Sequence, residues 1–178
     1  MIRSIKKSVR RFKKDEDGSS TVEFAILFVP MFTMLVSAIE LGMIHLHHAM
    51  LEQAVDETVR EIRLGTGQVP SHDTIKSMVC ERTGFIEDCS SEIRLEMIRL
   101  DPRNWSPVPE GADCVDTSQE VAPVRSFENG QSNELMFLRA CAKFDPVFPT
   151  LGMGENLIVD GAGQYSLVAS SVFVQEPI

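Results

Sequence analysis

Three groups of residues in this chain have the types and spacing to do chemistry. The first is Gly18 with Glu23. A glycine permits close backbone approach by a protease. A cut after Gly18 creates a new α-amine at Ser19, with the Glu23 carboxylate four residues on. In an assembly of parallel helices, the amine of one chain can neutralise Glu23 of its neighbour. The plainer alternative is a flanking charge that snorkels at a membrane interface. The second group is Cys80, Cys89, Cys114 and Cys141. Their even number favours disulfides in an exported domain. Three pairings are possible; the favoured one joins Cys80 to Cys89 and Cys114 to Cys141. Zinc is the competitor, but no Cys-x-x-Cys spacing supports it. The third group is His45 and His48, spaced i,i+3 and able to share a metal. With no neighbouring carboxylate or thiolate they read as ordinary interfacial residues, and His72 reads as a surface residue. There is no Gly-x-Ser-x-Gly, phosphate-binding glycine loop or His-Glu-x-x-His. The expectation is no enzyme, no cofactor and no metal site; an exported enzyme with an unrecognised site is the least favoured alternative.

The element that must position Gly18 and Glu23 is a long helix. Phe24 to Ile39 carries no charge, and the apolar character resumes after Glu40. A hydrocarbon core of about 30 Å needs roughly 20 apolar helical residues, which residues 24–44 supply. Glu40 lies about 24 Å past Phe24 at about 1.5 Å per residue, so it is expected at the outer interface with its carboxylate in water. Arg3, Lys6, Lys7, Arg10, Arg11, Lys13 and Lys14 precede the span, which puts the N-terminus in the cytoplasm and exports the rest. Ile2, Ile5, Val9 and Phe12 have the spacing of a weak amphipathic helix, with disorder the equal alternative. Pro30 should kink the span. Val36-Ser37-Ala38 is a rival cleavage pattern that would leave Ile39 as the mature start. The long leader, Pro30 and the apolar run beyond the site all disfavour it.

Asp17-Gly18-Ser19-Ser20-Thr21-Val22-Glu23-Phe24-Ala25 resembles the processing site of type IV prepilins. More narrowly the chain resembles the TadE/TadF-like pseudopilins of the tight-adherence (Flp pilus) system. Ile39-Glu40-Leu41-Gly42 and the C-terminal Ala169-Ser170-Ser171-Val172-Phe173 with Glu176-Pro177 are similar to the same proteins. The resemblance covers about residues 10–64 and the last ten residues. It implies cleavage after Gly18 by a prepilin-type peptidase, with Glu23 and Phe24 serving assembly. It also implies a single-pass protein of the bacterial inner membrane with a periplasmic head, or a pilus subunit outside the cell. Its partners would be other pilin-like subunits and the assembly machinery. One departure is Ser19, where many prepilins carry an aromatic or aliphatic residue. The alternative is an uncleaved single-span anchor presenting a periplasmic binding domain.

Charge supports the division of the chain. Residues 1–14 hold seven basic and no acidic groups, leaving ten basic against 26 acidic beyond them. An acidic exported portion argues against nucleic acid as a partner. Residues 1–18 then read as a cleaved leader, 19–64 as the helix and 65–178 as a globular head. Leu51, Val55, Val59 and Ile62, with Ala54 and Thr58 beside them, form one face of an amphipathic continuation of the span. Gly65 is placed to end it. Ser71 and Gly84 bracket a short second helix whose apolar side is Ile75, Met78 and Val79. Residues 92–100, 134–144 and 164–174 alternate as strands. The third has apolar residues on both faces and reads as the more central. Residues 101–133 read mostly as loop, with Trp105 over the domain edge, and 146–163 as a turn-rich connection. The fold expected is α+β and pilin-like: a long helix on a small antiparallel sheet, with long loops tied by disulfides.

Overall fold

The computed structural model describes residues 19–64, 70–84, 86, 88–104, 107–108, 111–112, 114 and 127–177. Gly18, the basic leader, Gly65 and Trp105 lie outside the described residues. The elements in chain order are α1 (Ser19–Leu64), α2 (His72–Thr83), the single turn α3 (Cys89–Glu92), β1 (Ile93–Leu100), β2 (Leu135–Phe144), a 3₁₀ turn (Gly154–Asn156) and β3 (Tyr165–Val174). This is the expected α+β architecture.

α1 is 46 residues long and stays helical through Pro30. Its second half buries the stripe the periodicity predicts: Leu51, Ala54, Val55, Thr58, Val59 and Ile62. Burying each such aliphatic side chain contributes about 1.5–3 kcal/mol, so this half of the helix is held by tertiary packing. Thr58, polar but wholly buried, spends its hydroxyl on the Ala54 carbonyl one turn back. At the far end, Gln175 Nε2 donates to the Ile62 carbonyl, one of the late helix carbonyls that have no intrahelical donor. α2 begins at Ser71, whose Oγ accepts the Thr74 N–H, and ends at Gly84 in the left-handed region. Ile75 and Val79 bury its apolar side against the same core.

The sheet has order β1-β2-β3, antiparallel throughout, with Leu95 opposite Ala140 and Ala140 opposite Ala169. β2, not β3, is therefore the central strand. Nine of its ten residues are buried, whereas Val168, Val172 and Val174 on the outer face of β3 are exposed. Valine suits any pleated surface through its branched Cβ. Apolar residues on both faces of β3 thus reported strand propensity and not cover. On β1 the alternation holds over the first residues except at Glu96, which is buried opposite Arg139, and it reverses at the end, where Arg99 is exposed and Leu100 buried. The Arg139 guanidinium donates to Glu96 Oε2 and lies over the Phe137 ring.

The disulfides are Cys80–Cys89 and Cys114–Cys141, the pairing favoured from the sequence. One ties the end of α2 to α3, and the other ties the long loop to β2. Closing loops of this kind typically stabilises a fold by about 2–4 kcal/mol.

Candidate functional site

The first half of α1 stands apart from the head. Every described residue from 21 to 32 is exposed. Phe24, Phe28 and Phe32 stack at successive turns, with ring centroids 5.4 and 5.7 Å apart. Glu23 lies exposed on this bare segment, directly before Phe24. Ser19 is the first helical residue. An apolar surface of this extent is left uncovered only where another apolar phase will receive it. The helix has the length and composition to cross a membrane.

From Thr33 onward one face of α1 is covered, and the cover is the β2–β3 connection. Glu40 is wholly buried. Its Oε1 accepts the Val147 N–H at 3.1 Å, and its Oε2 accepts the Phe148 N–H at 2.9 Å. This corrects the expectation of a carboxylate in water. One turn earlier, Ser37 Oγ donates to the Thr33 carbonyl at 2.8 Å and accepts the Met153 N–H at 3.1 Å. Thr33 donates in turn to the Val29 carbonyl. Ser37 and Glu40, three residues apart, thus form a clasp for the connection, with Thr33 one turn before them presenting its backbone carbonyl to Gly152. They continue the helix face that carries Ile44 and Leu51 into the core. That continuity is the signal the sequence did offer: a polar stripe inside an apolar run, in phase with the buried stripe. The Val36-Ser37-Ala38 triplet lies within unbroken helix, with Val36 buried.

The connection is braced at its stems as well. Lys143 Nζ donates to Asp160 Oδ2 at 2.8 Å, with both side chains largely buried. Burial alone would raise the Asp160 carboxyl. The hydrogen bonds from Lys143 and from the Gln164 and Ala162 N–H groups outweigh it and hold the group below the usual carboxylate range. Beside the clasp, His47 stacks on Phe144 at 4.7 Å and its Nδ1 lies 3.3 Å from the Tyr165 hydroxyl. Burial, then the Glu40 charge, pushes that hydroxyl up to about 12. His48 Nε2 lies 3.1 Å from the Val168 carbonyl. His72 packs edge-on against Phe127. No group of three or more metal-ligating side chains occurs among the described residues.

Gly152 shows how tightly the connection sits. It has φ +65°, and an added Cβ would lie 2.6 Å from Ser37 Oγ. Gly163, in the same connection, has φ +85° but open space around it. Both Gly→Ala changes carry the left-handed penalty of about 1 kcal/mol, and Gly152→Ala adds overpacking of about 1–3 kcal/mol. Gly152→Ala should therefore lower the melting temperature clearly more than Gly163→Ala and expose the 146–157 connection to protease. Equal shifts for the two variants would show that the close approach is not maintained.

The segment so described, a bare apolar helix followed by the clasp, is where a family match falls. Residues 18–60 match the family model for TadE-like protein. The match begins at Gly18, takes in Glu23, Phe24, Thr33, Ser37 and Glu40, and stops within the buried half of α1. The TadE-like part of the chain is thus its helix, and the head from α2 onward lies outside the match. No curated protein matches the chain, and no solved structure matches it.

Proposed function

We propose that this protein is a minor pilin or pseudopilin, a structural or assembly subunit of a tight-adherence (Flp-type) pilus. In this reading a prepilin-type peptidase cuts after Gly18. The mature chain is held in the bacterial inner membrane by α1, with the head on the periplasmic side. Glu23 and Phe24 are its assembly residues. The TadE-like match beginning at Gly18 carries the reading. The uncovered apolar helix supports it, since such a surface suits both a bilayer and a bundle of like helices. The head would face other pilin-like subunits and the assembly machinery. An alternative, an uncleaved anchor presenting a binding domain, draws on an open groove of 1310 Å³ between α1 and the end of β3, where Gln53, Arg60, Val172 and Pro177 stand.

N-terminal sequencing of the protein isolated from pili or from the inner membrane tests the proposal. Ser19 is the expected first residue. Met1 retained in assembled material rules out processing and favours the uncleaved anchor. Ile39 would mean cleavage by ordinary signal peptidase.

A further inference from the structure

The clasp has a consequence for depth. Taking the hydrocarbon to begin at Phe24, Thr33 and Ser37 lie about 14 and 20 Å into a core of about 30 Å. Starting it at Ser19, the first residue of α1, moves them to about 21 and 27 Å. Both positions are inside, and tilting the helix draws them deeper. Yet Gly152 and Met153 of the head lie directly against these residues. A helix that spans the bilayer from its N-terminal end therefore takes the connection in with it.

The connection has the composition and hydrogen bonding for such a place. Between Pro146 and Val159 the only charge is Glu155. Val147, Leu151, Met153, Ile158 and Val159 present exposed apolar surface. Irregular backbone is tolerated at membrane depth only when its polar groups are satisfied by protein. Here Glu40 takes the Val147 and Phe148 N–H groups, and Ser37 takes that of Met153. The Leu151, Asn156 and Leu157 N–H groups go to the Phe148, Met153 and Gly154 carbonyls, and Asn156 Nδ2 to the Gly152 carbonyl. Glu155, which is exposed, has to reach the headgroups.

We infer that the β2–β3 connection is a membrane-seated foot of the head: residues 147–153 dock among the acyl chains of the leaflet on the head's side, clasped to the span by Ser37 and Glu40. The inference rests on α1 spanning the membrane. The occupant of the apolar surface is lipid, because that surface is continuous with the span itself. The head is thereby held at a set height and orientation on the bilayer, and it can leave the membrane only by withdrawing the foot together with the span.

The test uses full-length protein in vesicles of phosphatidylcholine and phosphatidylglycerol whose acyl chains are brominated midway. With Trp105→Phe as background, single tryptophans are placed by Leu151→Trp, Met153→Trp, Phe28→Trp and Asp73→Trp. Phe28 marks the bare span, and the Asp73 side chain, 95% exposed on the first turn of α2, marks the head. The expected result is strong loss of emission at Phe28→Trp and at one or both of the 151 and 153 probes, and none at Asp73→Trp. A quenched Phe28→Trp, with both foot probes no more quenched than Asp73→Trp, overturns the foot and leaves the anchor standing. Foot probes shielded from lipid bromine and from aqueous acrylamide alike also overturn it, in favour of a protein neighbour. An unquenched Phe28→Trp removes the spanning reading and the foot together.

Discussion

Glu40→Ala should free the connection while leaving the sheet intact. In the native chain each carboxylate oxygen accepts one backbone N–H, from Val147 and from Phe148. Alanine removes both acceptors and leaves two partly buried donors without partners. At about 1 kcal/mol each, the low end of the usual penalty, the connection loses about 2 kcal/mol. That converts to about 30-fold faster amide exchange at 147 and 148. Glu40→Gln should fall between, because only one oxygen remains and its amide group faces the second N–H donor. Exchange in the middle of β1 and β2, held by the sheet register and by the Glu96–Arg139 pair, should not change. Unchanged protection at 147 and 148 in Glu40→Ala would mean that the carboxylate does not hold the connection. The effect is expected to exceed that of most exposed substitutions, since it removes two hydrogen bonds from a wholly buried side chain.

Glu23→Ala should do the opposite: leave the head folded and weaken assembly strongly. Glu23 lies on the bare segment of α1, several turns before the first buried residue, Val36. The two disulfides and the clasp at Glu40 are remote from it. A carboxylate among apolar helices must be paired, protonated or able to reach water. In the proposed assembly its partner is the Ser19 amine of a staggered neighbour. A pair about 4 Å apart in an effective dielectric of about 20 is worth about 4 kcal/mol. Loss of even half of it should reduce co-purification with other pilin-like subunits by about tenfold or more. Glu23→Asp should be intermediate, keeping the charge with a shorter reach. Normal capture of Glu23→Ala would retire the pairing and leave an interfacial carboxylate. A variant that is not cut would assign Glu23 to peptidase recognition, and the measurement would then be made on pre-cleaved protein.

The two carboxylates on α1 illustrate what could be read before folding. Both interrupt an apolar run, and both were located by residue type alone. Glu23 drew its meaning from Gly18, a local relation along the chain, and so was legible. Glu40 drew its meaning from Val147 and Phe148, more than a hundred residues away. Rise per residue placed it at an interface and so in water, because helix geometry says nothing about what packs alongside.

The sequence by itself determined the long helix, its bare and buried halves, the capped second helix and three strands. All of these follow from local periodicity and capping chemistry, which act within a few residues. The even cysteine count pointed to disulfides and favoured this pairing but left three connectivities open; the folded chain decided among them. Only the tertiary structure decided that β2 is central, that Glu96 and Arg139 are buried together, and that the β2–β3 connection folds back onto Thr33, Ser37 and Glu40. Strand order and side-chain partnership depend on contacts between distant segments. Valine on an exposed edge strand has the same spacing as valine in a covered one, and a glutamate in water has the same letter as one that clasps a loop.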